Sequence, residues 1–342
     1  MSSKEFLKEQ KVDYGRKNID TIDLTKFVMS LLVVVIHVNP FGTERPPVIS
    51  RIAVPVFFMI SAYFLFIKGG TKENLIKYIR RNITLYFVWF MVLLPITIYI
   101  RKYYMIKFPN VLGKILVDFF FGSTFITSWY LMAAIIGSVF VIVLCRYVGN
   151  MITILIGLLL YMICCALTNY AGLFSEFAFI YVIKEYYPAN FYNSFPAAIL
   201  WIAFGKVFAD NKFKIRKGIS ITCLIISIVL LIYEKYLVTS FCYTDDCYVM
   251  LIPSCFFLFA LIKECRIAIP YAHHMRVFST ITFCLHASLQ TVIRFILKHM
   301  FNIKISWEGL LVFGLTVMGC MAVAYIIKKL ESKGIKWMKA FY

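Results

Sequence analysis

Charge is scarce in this sequence, and negative charge is scarcest. Only 15% of its 342 residues are Asp, Glu, Lys or Arg, and 17 acidic residues stand against 36 basic ones, a net charge of +19. Hydrophobic residues make up 61% of the chain, and the mean hydropathy is +0.81. That composition excludes an ordinary soluble protein. There is no soluble basic domain, long linker or low-complexity tract, so a nucleic-acid partner is not expected. Alternating strands of about ten residues are also missing, which argues against a membrane barrel. The first 21 residues, MSSKEFLKEQKVDYGRKNIDT, lack an apolar core followed by a small-residue cleavage site. They are expected to stay attached as a polar cytoplasmic segment. No Cys–His cluster has zinc-ligand spacing, so no metal is expected; His273 and His274 are adjacent and read as a solvated loop. No internal repeat points to the inverted halves of a secondary transporter.

What is present is a succession of apolar runs of membrane-spanning length. They fall at about 22–41, 50–68, 82–101, 129–145, 151–169, 194–209, 218–238, 247–262, 277–298 and 307–328. In lipid the backbone must satisfy its own hydrogen bonds, which such runs do as helices. The expected fold is therefore an all-α polytopic membrane protein of about ten transmembrane helices. Residues 1–21 and 329–342 would be cytoplasmic flanks of one membrane domain at 22–328. Placing the N-terminus inside puts 24 Lys and Arg in inner segments and 10 in outer ones, which favours cytoplasmic N- and C-termini. The weak point is the basic stretch 102–128, an expected outer loop, where Val111–Phe121 could instead form a re-entrant piece. Most of the ten cysteines lie in apolar runs as packing residues. Cys242 and Cys247 share one outer loop and could pair on an oxidising side.

One apolar run carries ionisable groups. In IDLTKFVMSLLVVVIHVNPF, residues 22–41, Asp23, Lys26, Ser30 and His37 have a spacing that puts them near one helical stripe. Lys26 and His37 are eleven residues apart, which returns a helix to within about 20° and separates them by about 16 Å along the axis. Ionisable groups inside a membrane are costly, so such a stripe is expected to face protein or water and to work. Snorkelling of Lys26 and an interfacial His37 are the plainer readings of each residue alone. Together they suit a cation that holds an anionic ligand near one face and a histidine that takes a proton from a hydroxyl deeper in. A second polar row, His286, Gln290, Arg294 and Lys298, is spaced by four and reads as a helix face on a cavity.

The pattern Asp23-x-x-Lys26-x10-His37 resembles the first-helix signature of the acyltransferase 3 family of integral membrane acyltransferases. VFFMISAYFLF (Val56 to Phe66), LIKYIRRNITLYFVW, SWYLMAAII (Ser128 to Ile136) and STITFCLHASL resemble further family phrases in the family's order. Together they cover essentially the whole chain. Two departures stand out: Lys26 where the family has Arg, which removes a planar bidentate fork, and Ala62 where it has Gly, which a close helix contact should tolerate.

The resemblance implies transfer of an acyl group, usually acetyl, from acyl-CoA to a hydroxyl of a cell-surface glycan or lipid-linked sugar. It implies no bound cofactor, with acetyl-CoA as donor, and a bacterial cytoplasmic membrane as the setting. His37 would be the general base or a transient acyl carrier. Lys26 would steer the donor, with Asp23 paired to it. Lys77, Arg80 and Arg81 would meet the coenzyme A phosphates. Ser61, Tyr63, Trp129, Tyr130, His286 and Arg294 are candidates to line the substrate path, though packing, interfacial and topological roles compete for each. The outer acidic residues Glu176, Glu185, Asp245 and Asp246 could touch a sugar or simply solvate loops. The rival expectation is an exporter of polysaccharide or lipid-linked sugar without acyl chemistry.

Overall fold

The computed structural model describes residues 3–211, 215–300 and 308–342, with side chains for all of these except 3–18 and 308. Lys212, Lys214 and Lys304 of the charge count lie outside the described residues. So do the side chains of Lys4, Lys8, Lys11, Arg16 and Lys17. Every described element is helical. In chain order they are α1 (Ser3–Val38), α2 (Ala53–Phe66), α3 (Lys72–Val92), α4 (Leu94–Arg101), α5 (Asn110–Phe120), α6 (Trp129–Tyr147), α7 (Gly149–Leu167), α8 (Ala171–Phe174) and α9 (Ala178–Tyr186). Then follow α10 (Phe195–Ala209), α11 (Lys217–Val238), α12 (Leu251–Glu264), α13 (Ala272–Met300) and α14 (Glu308–Ser332).

Among the described residues six helices are long and apolar enough to cross a membrane, or seven if α3 and α4 count as one span. The chain is a multi-pass helical membrane protein. Each of the ten expected runs overlaps a helix, but α10 and α12, at 15 and 14 residues, fall short of the length of a lone span. α3 and α4 meet at a 77° bend, and Pro95 in the first turn of α4 gives the reason. Proline cannot donate its i→i−4 bond and clashes with the preceding turn. Residues 102–128 are not a simple loop. They form a short 3-10 turn at Tyr103–Met105 and the helix α5, over nearly the stretch where a re-entrant piece was the alternative.

α10 is the axis of the core. Pro196 sits in its first turn, where its missing N–H costs nothing, and nearly every side chain that follows is buried. Gly205 lets α2 come very close: a Cβ there would stand 2.5 Å from the Met59 carbonyl oxygen and 2.8 Å from the Ala62 Cβ. So the close contact expected at Ala62 is made, with the glycine on the partner helix. Gly157 of α7 meets the Leu200 backbone in the same way. Small residues at crossings replace the hydrophobic drive that is missing between helices in lipid. α1 packs along α13, and α13 along α14, on the other side of α2. Two histidines are brought together there. The C-terminal 3-10 turn Lys336–Phe341 returns to α3, where Phe341 meets Trp89 edge-on at 5.5 Å.

Candidate functional site

The polar stripe of α1 faces α13. Phe27 packs on Phe278 at 5.1 Å, which fixes the two helices' register. One turn before, Asp23 is buried at 2% exposure with Arg276 Nε 3.7 Å away. Lys26 acts on this carboxylate through space, while the cation within ion-pair distance of it comes from α13. Lys26 instead lies over the Phe64 ring, 5.1 Å from its centroid. A cation on an aromatic face keeps a favourable contact while its ammonium stays free for a ligand. Ser30 donates to the Phe27 carbonyl of its own helix at 2.7 Å, so its hydroxyl is used locally.

Lys26 opens on a cavity of about 260 Å³ that also takes in Ser61, Lys68, Lys77, Tyr78, Arg81 and Tyr130. Its lining has four cations and no acidic residue. α3 presents Asn74, Lys77, Tyr78, Arg81, Asn82 and Leu85, which is one helical face at i, i+3, i+4, i+7. Arg80 is off that face and does not line the cavity, so the expected trio reduces to Lys77 and Arg81. Ser61 shares a 2.9 Å hydrogen bond with the Tyr78 hydroxyl. Tyr63 lines neither this cavity nor the next; it is buried against Phe259, with ring centroids 5.8 Å apart. It is a packing residue.

His37, eleven residues further along α1, is exposed to a second cavity of about 460 Å³. Arg51, Arg101, Lys114, Asp118, Trp129 and Asp246 are among its walls. Lys114 pairs with Asp118 at 2.8 Å, and Asp118 also accepts the Tyr103 hydroxyl at 2.6 Å. Arg51 reaches Asp246 at 2.7 Å and Asp245 at 3.7 Å. Burial pushes the Asp245 carboxyl up from its usual range, while Arg51 and Lys235 pull it back. The loop is further held by a hydrogen bond from the Tyr248 hydroxyl to Asp245. Asn169 accepts from the backbone N–H groups of Asp246 and Cys247 at 3.0 and 3.1 Å. Cys242 and Cys247 are both free thiols here, and Cys242 contacts the Arg45 guanidinium instead.

Behind His37 stands His286, fully buried, with ring centroids 5.1 Å apart. Its Nδ1 lies 2.7 Å from the Thr282 carbonyl and 3.1 Å from the Phe283 carbonyl. Carbonyls only accept, so Nδ1 carries the proton and Nε2 presents a bare lone pair. That Nε2 is buried without a hydrogen-bond partner, as is Gln290 Oε1 one turn on. Buried acceptors left unsatisfied are costly and uncommon. Two turns past His286, Arg294 donates to the Val38 carbonyl at 2.9 Å and lines neither cavity. The second polar row is thus split: His286 is buried against α1, Gln290 is half-buried, and Arg294 and Lys298 are exposed, with Arg294 still reaching the end of α1.

The two cavities share no lining residue. Between them lie adjacent residues that face opposite ways: Phe57 and Tyr130 line the Lys26 cavity, Phe58 and Trp129 the His37 cavity. The rings touch as a sheaf. Phe58 is 4.3 Å from Tyr130, Tyr130 4.8 Å from Phe283 and Phe57 5.5 Å from Phe283. Sequence reasoning missed Arg51, Arg101, Lys114, Asp118 and Tyr78. The Lys114/Asp118 spacing of four was the available signal for two of them. Of the outer acidic candidates only Asp246 reaches the His37 cavity.

A family model described as an acyltransferase domain matches residues 19–329. An amino-acid racemase of Enterococcus faecalis is 29% identical over 263 residues, which is 72% of this chain and 36% of that protein. A serine/alanine racemase of Enterococcus gallinarum is 25% identical over 264 residues, 70% of this chain and 36% of that protein. The chain therefore spans about a third of the length of these relatives. No solved structure matches.

Proposed function

We propose, from the premise that this chain belongs to the acyltransferase-domain family, that it is a membrane O-acyltransferase moving acetyl from acetyl-CoA to a hydroxyl of a cell-surface or lipid-linked glycan. The observation that carries the reading is one helix serving two cavities of different chemistry. The Lys26 cavity has four cations and no acid, which suits the phosphates of coenzyme A. The His37 cavity offers a histidine beside a mixed polar wall, which suits a sugar hydroxyl. The excess of Lys and Arg at the Lys26 side supports a cytoplasmic donor face in a bacterial cytoplasmic membrane, with both chain termini on that side.

In this mechanism His37 removes the proton as the acceptor oxygen attacks the thioester carbonyl. The new C–O ester bond forms, the C–S bond breaks, and coenzyme A leaves as a thiolate that takes up a proton. His286, its ring centroid 5.1 Å from that of His37 and its Nδ1 fixed on α13, packs behind the His37 imidazole and limits its rotation. Asp23 and Arg276 brace the helix end that carries Lys26. Trp129 and Tyr130 sit on either side of the sheaf that the acyl group must pass. An exporter needs one continuous passage for a whole sugar, and two cavities with no common wall do not support that reading.

The test is acetyl transfer from labelled acetyl-CoA in membranes that contain native glycan acceptors. Wild type should give base-labile labelled ester. His37→Ala, expressed at the same level, should fall by roughly 10²–10⁴-fold, the usual worth of a general base. Undiminished labelling in the variant would remove His37 from its role.

A further inference from the structure

We propose that the acceptor is an anion: beside its hydroxyl it carries a carboxylate or phosphate, which binds the Arg101 guanidinium in the His37 cavity. The proposal rests on the acyl-transfer reading and names the class of acceptor that reading leaves open.

The charges of that cavity pair off unevenly. Lys114 is matched by Asp118 at 2.8 Å, and Arg51 by Asp246 at 2.7 Å and Asp245 at 3.7 Å. Asp118 cannot swing across to a second cation without losing both Lys114 and the Tyr103 hydroxyl, which it accepts at 2.6 Å. Arg101 is the cation left over. Among the described residues its hydrogen bond runs from Nε to the Thr124 carbonyl at 3.3 Å, and no carboxylate lies within ion-pair distance. That bond holds the stem and leaves the two terminal nitrogens, the fork that grips carboxylate or phosphate oxygens in pairs, to the cavity. The last turn of α4 gives Arg101 some dipole stabilisation, but that does not occupy the fork.

The size agrees. A cavity of about 460 Å³ lies in the range of small-ligand sites, room for one or two sugar units. The same cavity holds the two acids that the donor cavity lacks. A polyanion such as coenzyme A is therefore poorly matched to it, and an acceptor with a single anionic group is well matched. Neutral sugars would leave Arg101 facing an uncharged face.

Full-length protein in native membranes would be given labelled acetyl-CoA, and the base-labile product separated by anion exchange at neutral pH. Wild-type label should be retained on the column. Arg101→Gln should lower labelling by roughly tenfold at limiting acceptor, a change in acceptor KM more than in kcat. Arg101→Lys, which keeps the charge, should recover most of it. Mild acid, which cuts sugar-phosphate links, should abolish retention if the anion is a phosphate; carbodiimide coupling to a neutral amine should abolish it if the anion is a carboxylate. Label that elutes with neutral products overturns the proposal and leaves acyl transfer standing. Equal losses in Arg101→Gln and Arg101→Lys overturn it in favour of a structural role. Absence of label in every fraction overturns the acyl-transfer reading and this proposal with it.

Discussion

The cavities at Lys26 and His37 lie along one helix, eleven residues apart, yet they differ in almost every physical respect. The Lys26 cavity has four cations, no acid and the smaller volume; the His37 cavity has three cations, two acids and a histidine. An unbalanced positive wall is tolerated only where an anionic ligand or water answers it. A wall whose cations are paired but for one can orient a polar guest that carries a single negative charge. The difference teaches that one stripe on α1 does two jobs, anion capture at one end and proton removal at the other. The aromatic sheaf of Phe57, Phe58, Tyr130 and Phe283 stands between the two cavities.

The contrast can be broken from either side. The largest effect in the donor cavity should come from Lys26→Met, which keeps the stem and deletes the charge. The KM for acetyl-CoA should rise roughly ten- to a hundredfold, with acceptor KM unchanged. A rise in acceptor KM instead would merge the two cavities into one site. Next in size is His286. His286→Phe removes the lone pair behind His37 and should lower kcat about tenfold, while His286→Gln, which keeps an acceptor, should restore part of it. A purely structural role would make both variants equally poor and leave the pH profile of the residual activity untouched. The smallest effect should be Arg80→Ala. Lying off the face that carries Lys77 and Arg81, it should change donor KM by less than about twofold. An effect as large as that of Arg81→Ala would mean that the α3 face has been misassigned.

Much of this was legible in the chain, and the illegible part has a common cause. The stripe of Asp23, Lys26 and His37 follows from helical period alone; the expectation for α3 kept Arg80 with Lys77 and Arg81, and only the cavity separated it from their face. What period cannot give is which helices meet. The Asp23–Arg276 contact spans more than 250 residues, and the His37–His286 contact nearly as many, because α1 packs on α13. The sequence offered two polar rows with no means of seeing that they converge. Tyr63 looked equivalent to Ser61 two residues away, but two residues turn a helix by about 200°, and only Ser61 faces the cavity. The walls of the His37 cavity were hidden for another reason. Arg101 ends the bent helix α4, at the edge of an expected span, and Lys114 and Asp118 come from α5, inside a stretch expected to be an outer loop.

The central claim is that donor and acceptor are held in separate cavities opening on opposite faces. It can be tested most directly with membrane vesicles of known orientation and labelled acetyl-CoA, which does not cross a sealed bilayer. Inverted vesicles, with the Lys26 face outward, should form labelled ester, and right-side-out vesicles should form none until they are permeabilised. Equal labelling of sealed vesicles in both orientations would contradict the account.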